Sequence, residues 1–188
     1  MAQVFFITHP EVIIDPTIPV PEWELSEVGK LRTQEFVEKN ILPEKVAAIF
    51  SSIEKKAEQT ANIIAKKFYL TPKLCPELGE IDRSSTGYVP LNEHNYIVRE
   101  WFNHPTVSIK GWETAERVQK RAVNHLITMI AQFEEDTIVV VSHGGIGAVT
   151  LAALLYQDIS LRYEQPQLGS YFVFDSKEVK VVEQWQAM

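Results

Sequence analysis

Two apolar, β-favouring runs constrain the fold of this chain more than any other feature: Val4-Phe5-Phe6-Ile7-Thr8 near the N-terminus and Ile138-Val139-Val140-Val141-Ser142 far downstream. Each is followed at once by a histidine, His9 in the first case and His143, with Gly144-Gly145 behind it, in the second. In an open α/β sheet, ligands bind beyond the carboxyl ends of the strands, so two imidazoles delivered there face a single site. The neighbours of His9 are unexpected. Thr8 precedes it and Pro10 follows, whereas an anion-handling histidine is better served by an arginine and a glycine in those places.

Between and around these runs, strand patterns alternate with helical ones, which favours a βαβ architecture. Asp15 to Pro21 holds three prolines and reads as a loop. Ser26 then reads as the N-cap of a helix from about Glu27 to Lys39, ended near Asn40 and Pro43. Val46 to Ser51 is the second strand, and Ala57, Ala61, Ile64 and Phe68 form the apolar stripe of the next helix. Thr71 to Pro76 predicts a short strand. From about 77 to 110 the pattern breaks into an excursion of Gly, Pro, Ser, Asn and aromatic residues, with a short helix around His94 to Phe102. Ala115, Val118, Ala122, Leu126, Met129 and Phe133 describe a long amphipathic helix. A helix from roughly Ile146 to Tyr156 follows His143, its amide groups available to an anion. Tyr171 to Phe174 and Val179 to Trp185 flank Asp175-Ser176-Lys177 and predict a C-terminal hairpin.

With 188 residues, 45% of them hydrophobic, one domain over 1–188 can bury most of its apolar surface without disulfides or metals. The net charge is −7, with 18 Lys+Arg against 25 Asp+Glu. That balance gives no electrostatic footprint for nucleic acid or an anionic membrane, so local cations must hold an anionic substrate. Cys75 is the single cysteine, which excludes an intrachain disulfide and a thiolate zinc cluster and fits a reducing compartment. The N-terminus has no basic leader pattern and no apolar stretch reaches the roughly 18 residues of a membrane span. A cytoplasmic location is the expectation, and the oligomeric state is left open.

Taken in order, the motifs are His9-Pro10-Glu11 after a strand, Ser51-Ser52-Ile53-Glu54-Lys55-Lys56-Ala57-Glu58-Gln59-Thr60-Ala61, an acidic Glu80, and Ser142-His143-Gly144-Gly145. This order resembles the histidine phosphatase (phosphoglycerate mutase-like) superfamily. Its patterns are Arg-His-Gly after the first strand, Ser-Ser-x-x-x-Arg-Ala-x-Gln-Thr-Ala, a Glu after the third strand, and a late Ser-His-Gly-Gly. Trp23-x-Leu25-Ser26-x-x-Gly29 and Gly111-Trp112-Glu113-Thr114 are similar to secondary patterns of the family, and the resemblance spans essentially the whole chain. It implies a three-layer α/β fold with a mostly parallel central sheet flanked by helices, and the 77–110 excursion as an insert after the third strand. It also implies that His9 attacks a phosphoryl group, that His143 hydrogen-bonds a phosphoryl oxygen, and that Glu80 is the general acid. Ser52, Lys56, Gly144 and Thr8 would border the substrate, with no metal and no cofactor. The implied partner is a small phosphorylated molecule or a phosphohistidine protein.

The departures from the pattern bear on activity. Thr8 supplies a neutral hydroxyl where the family has a bidentate, permanently charged arginine. Lys56 keeps the charge of the second arginine as a point donor. Pro10 has no N–H to offer an oxyanion. Arg83, three residues after Glu80, is a candidate replacement cation. Two functions therefore compete: a phosphatase working through a phosphohistidine at His9, weak or narrow in activity, and an impaired member that binds a phospholigand or regulates. For several residues a plain structural account stands beside the chemical one. Ser52 is expected to cap the helix that follows, Lys56 also reads as a solvated helix-face lysine, and Arg117 and Arg121 read as pairing with Glu113 and Glu116. His125 reads as packed or partly exposed. His94, His104, Arg99, Trp101, Tyr88 and Tyr96 read as either a pocket lining or an aromatic mini-core under the excursion.

Overall fold

Val4 and Phe6 pack on one face of the first strand and Phe5 and Ile7 on the other, and all four are buried. A strand apolar on both faces needs cover on both faces, and helices provide it. The computed structural model describes residues 2–133 and 136–188. Its strands are β1 (Gln3–Thr8), β2 (Ala48–Ser52), β3 (Lys73–Cys75), β4 (Ile138–Ser142), β5 (Ser170–Asp175) and β6 (Lys180–Ala187). Its helices are α1 (Glu27–Glu38), α2 (Lys55–Phe68), α3 (Leu91–Asn103), α4 (Ala115–Ile130) and α5 (Gly144–Leu154).

The strands form one sheet in the order β3-β2-β4-β1-β5-β6. The first four are mutually parallel, β5 runs antiparallel beside β1, and β6 runs antiparallel beside β5. On one face, Phe5, Ile7, Ile49, Val139 and Val141 pack with Phe36 of α1 and with Ala57, Ala61 and Ile64 of α2. On the other, Val4, Phe6, Phe50 and Val140 pack with Val118, Ala122 and Leu126 of α4 and with Ile146 and Val149 of α5. The three-layer, mostly parallel architecture expected from the motifs is the one observed.

Local signals set the helix starts. Ser26 caps α1 by accepting the Gly29 N–H at 3.1 Å, and Thr114 caps α4 by accepting that of Arg117 at 3.3 Å. The boundaries differ from the periodicity in three places. α4 stops at Ile130, and Phe133 continues its apolar stripe from a turn, meeting Phe50 edge-on at 5.7 Å. β3 is only three residues long. α5 begins at Gly144, two residues earlier than the apolar pattern suggests, so both glycines lie in its first turn. The hairpin forms as expected, its turn held by Asp175, whose Oδ1 accepts the N–H groups of Lys177 and Glu178.

Register fixes where the two histidines meet. β1 and β4 are parallel neighbours with Thr8 opposite Ser142, so His9 and His143 leave the same end of the sheet side by side. The His9 N–H donates to the Ser142 carbonyl at 3.2 Å, which extends the ladder by one bond. α3 and the loops around it stand over this end, and Leu91, His94, Val98 and Phe102 form part of a cavity wall there.

Candidate active site

His9 is half-buried at the base of that cavity. Its Nδ1 lies 2.8 Å from the carbonyl of Pro10. A carbonyl only accepts, so Nδ1 carries the ring proton and Nε2 carries the lone pair. Burial and then the Lys56 charge take the His9 pKa down to about 4, against the pull of the Pro10 carbonyl and Glu54. At neutral pH the ring is therefore an uncharged imidazole with a free Nε2.

His143 packs edge-on to His9, with ring centroids 5.1 Å apart and planes at 69°. It is fully buried and does not reach the cavity wall. Its Nε2 is 2.8 Å from Ser52 Oγ and 3.5 Å from Glu54 Oε1, while its Nδ1 is buried without a partner among the described residues. Burial holds it neutral, the Glu54 charge opposing. Ser52 is fully buried too. Its hydroxyl accepts the Glu54 N–H at 3.1 Å, closing a turn ahead of α2, where the sequence suggested a cap; the cap position of α2 is Glu54.

Lys56 is 3% exposed and lines the cavity, not the solvated face of its helix. Its ammonium group donates to the Glu54 carboxylate and, at 3.1 Å, to the Val20 carbonyl. Glu54 is buried, which alone would raise its pKa, yet the His143 imidazole and the Lys56 ammonium bring it to about 2. The charge of Lys56 is thus already matched by a carboxylate inside the site.

Glu80 lies on the cavity wall against the first turn of α5. Its Oε2 accepts the Gly145 N–H at 3.0 Å, and its Oε1 accepts the N–H groups of Ile146 at 3.0 Å and Ile81 at 3.1 Å. Close approach explains the two glycines. A Cβ on Gly145 would stand 2.7 Å from Glu80 Oε1, and one on Gly144 would stand 2.4 Å from the side chain of Gln165. Burial raises the Glu80 pKa, the Gly145 N–H pulls it back, and Glu54 adds repulsion. The net direction is upward, as a proton donor requires. Arg121 fixes the backbone of this segment, donating to the carbonyls of Glu77 and Gly79 at 2.6 and 3.0 Å while paired with Glu113 at 2.8 Å. The pairing with Glu113 expected for this arginine is present.

Thr8 is fully buried and stands off the cavity. Its hydroxyl accepts the Ser170 N–H at 2.9 Å and donates to Gln165 Oε1 at 2.5 Å. Gln165 in turn lines the cavity, so the neutral residue in the arginine's place meets the site only through an amide. Gln165 and Glu54 are the site residues that sequence reasoning missed. Glu54 sits inside the quoted motif, two residues before Lys56, where a paired cation was readable. Gln165 follows α5 in an irregular stretch that carries no pattern. Arg83 joins His9, Lys56 and Glu80 on the cavity wall, its guanidinium 5.8 Å from the Trp112 ring centre. His94 lines the wall beside Trp112, with ring centres 5.7 Å apart, whereas His104 and His125 lie away from it near Glu100 and Glu77. Among the described residues no cluster of three or more His, Cys, Asp or Glu could hold a metal ion, and no helix is long and apolar enough to cross a membrane.

Solved structures share this fold. A phosphoserine phosphatase from Entamoeba histolytica, in complex with 3-phosphoglyceric acid, is 18% identical with a TM-score of 0.79 over 100% of this chain and 98% of that one. YhfR of Bacillus stearothermophilus is 18% identical with a TM-score of 0.79, covering 97% of this chain and 95% of that one. A mycobacterial glucosyl-3-phosphoglycerate phosphatase is 17% identical with a TM-score of 0.78 over 98% and 96% of the two chains. No curated protein matches the chain in sequence. The model of the histidine phosphatase superfamily (branch 1) matches residues 19–185, a span that begins just after Thr8-His9-Pro10, and with that match and this fold the chain belongs to the histidine phosphatase superfamily.

Proposed function

We propose that this protein is a metal-independent phosphatase that passes the phosphoryl group of a small phosphorylated molecule to His9 and then to water. The observation that carries the reading is the state of His9: Nδ1–H is committed to the Pro10 carbonyl at 2.8 Å, and a pKa of about 4 leaves the ring neutral. In the first step the Nε2–P bond forms, the P–O bond to the leaving group breaks, and the leaving oxygen takes the proton of Glu80. In the second, Glu80 removes a proton from water, the water oxygen bonds to phosphorus, and the N–P bond breaks. Two easier displacements replace one difficult one. A phosphohistidine protein would react in the same way, with an imidazole leaving. His143, buried off the cavity, packs edge-on against the His9 ring and so helps to hold its orientation.

Charge neutralisation falls to Arg83. Lys56 is already paired with Glu54, whereas Arg83 has no side-chain hydrogen bond or ion pair among the described residues and faces the same cavity as His9. Its N–H donors are free for phosphoryl oxygens. Removing one preorganised donor of this kind costs about 10²–10³ in rate. Arg83→Leu is accordingly expected to lower kcat/KM for phosphomonoesters by about that factor, with Arg83→Lys intermediate and inhibition by inorganic phosphate weakened in parallel. Unchanged kinetics in Arg83→Leu would remove Arg83 from the site.

The pH dependence is a second check. The acid limb of kcat/KM belongs to His9, which must be unprotonated, and is expected near pH 4. The alkaline limb belongs to Glu80, which must be protonated, and lies above the ordinary glutamate value of 4.5 because burial raises it. The expected profile is a bell displaced to acid pH, and Glu80→Gln loses its alkaline limb. An activity that climbs steadily into alkaline pH contradicts both assignments.

Phosphate release from p-nitrophenyl phosphate and from a phosphohistidine peptide tests the reading directly. The Lys56–Glu54 pairing and the enclosure of Thr8 favour one competing function, a member that binds a phospholigand without turning it over. Binding of inorganic phosphate with no release above the His9→Ala background, on either compound, would establish that function instead.

A further inference from the structure

The cavity over His9 encloses about 350 Å³, within the range of about 300–1,000 Å³ typical of small-molecule sites. His9, Lys56, Glu80, Arg83 and Gly144 are its phosphate-handling lining, His9 and Gly144 lying just beyond the carboxyl ends of β1 and β4. The remaining wall is Trp23, Tyr88, Val89, Val98, Phe102 and Trp112, closed by residues of the 12–20 loop and the irregular stretch after α5. The two tryptophans present only ring surface, because their N–H groups are used elsewhere. Trp23 Nε1 donates to the Asp15 carbonyl at 2.8 Å and Trp112 Nε1 to Thr86 Oγ1 at 2.9 Å. Tyr88 leans on Trp23 with ring centres 5.9 Å apart, and His94 leans on Trp112. Burial, then the Arg83 charge, keeps His94 below its ordinary pKa, so it faces the cavity as a neutral ring.

Charge along the wall points the same way. The acids on it are Glu80 and Glu164, and the cations are Lys56, already matched by Glu54, and Arg83. Arg83, without a side-chain hydrogen bond or ion pair among the described residues though within the fields of Glu80 and Glu54, is the cation left for one phosphoryl group. A leaving group bearing a carboxylate or a second phosphate would find no further cation and would meet Glu164.

We infer that the substrate is a phosphomonoester of an apolar alcohol, whose hydrocarbon part fills the aromatic and aliphatic wall while its phosphoryl group lies against His9 and Arg83. The inference rests on the phosphatase reading above and adds the class of leaving group. Products are the free alcohol, which carries the proton from Glu80, and inorganic phosphate. The carboxylate of 3-phosphoglyceric acid, bound by the Entamoeba relative, has no counterpart among the charges of this wall.

Ethyl, butyl and hexyl phosphate test it, because their leaving groups have nearly equal basicity and differ in the area they bury. Burying one methylene is worth about fourfold in kcat/KM, so hexyl phosphate is expected to exceed ethyl phosphate by on the order of 100-fold. 3-Phosphoglycerate should rank with or below ethyl phosphate. In Val98→Asp and in Tyr88→Ala the hexyl-to-ethyl ratio is expected to fall about tenfold; a variant that merely unfolds lowers both rates and leaves the ratio unchanged. Turnover that is flat with chain length, or that favours 3-phosphoglycerate, overturns the inference and leaves the phosphatase reading intact. If no ester turns over, the phosphatase reading falls and the inference, which rests on it, falls with it.

Discussion

His9→Ala is expected to reduce phosphate release by on the order of 10⁴–10⁶-fold, the loss typical of removing a covalent nucleophile. The size follows from what remains. Without Nε2 the path through a nitrogen–phosphorus bond is closed, and Glu80 and Arg83 are left to assist direct attack by water on a basic ester. The fold should survive at neutral pH. His9 is an uncharged side chain at the end of β1, and its one side-chain hydrogen bond goes to the adjacent Pro10 carbonyl. A melting temperature close to that of the parent protein at pH 7 therefore separates lost chemistry from lost structure. The second readout is covalent. Labelled phosphate from substrate should remain on the parent chain after an alkaline quench and leave it in acid, as a phosphoramidate does, and His9→Ala should retain none. A label retained by His9→Ala would mean that another residue is the nucleophile, and a parent chain that turns over without ever labelling would mean direct hydrolysis.

Much of this site was legible in the sequence because parallel register is a local rule. Two strands of equal pattern, each followed by a histidine, need only be neighbours for His9 and His143 to meet, and Thr8 opposite Ser142 makes them so. The layers were readable for the same reason: the unbroken apolar runs Val4–Ile7 and Ile138–Val141 present apolar side chains on both faces and so require helices on both. Glu80 was legible from motif order, and its raised pKa follows from burial that motif order cannot show. Other features depended on contacts between distant segments. Thr8 reads as a lost arginine, but its hydroxyl is held by Gln165, 157 residues away and in a stretch without periodicity. Lys56 reads as a phosphate ligand or a solvated lysine; burial on the cavity wall, paired with Glu54, excludes the solvated reading. Arg83 was visible only as a nearby charge, and its stacking over Trp112 depends on how the excursion folds back. Charges and hydroxyls take their roles from partners, and partners far apart in sequence leave no spacing signal.

Glu54→Ala should have the largest effect on stability. Glu54 is buried, and its carboxylate binds Lys56, accepts the Glu80 N–H at 2.7 Å and lies 3.5 Å from His143 Nε2. Removing it leaves the Lys56 ammonium buried without a counter-charge, and breaking a buried pair from one side costs about 3–5 kcal/mol. Lys56→Met removes the charge and keeps the stem, so the remaining carboxylate can protonate and the loss should be smaller. The double variant Glu54→Ala, Lys56→Met should recover part of what Glu54→Ala alone loses. Denaturant midpoints at pH 7 measure all three. The pH dependence has a definite sign. Because the folded-state pKa of Glu54 is depressed to about 2 from an ordinary 4.5, its stabilisation is fully present above pH 4.5 and is lost as pH falls through 2. His9 acts at higher pH: with its pKa lowered from 6.5 to about 4, the unfolded chain takes up a proton that the folded chain refuses, and stability declines as pH falls from 6.5 to 4. In Glu54→Ala the step below pH 4.5 should shrink while the decline between 6.5 and 4 persists. A Glu54→Ala protein as stable as its parent would show that the Lys56 charge reaches solvent, and Lys56 would then be as free as Arg83 to bind phosphate.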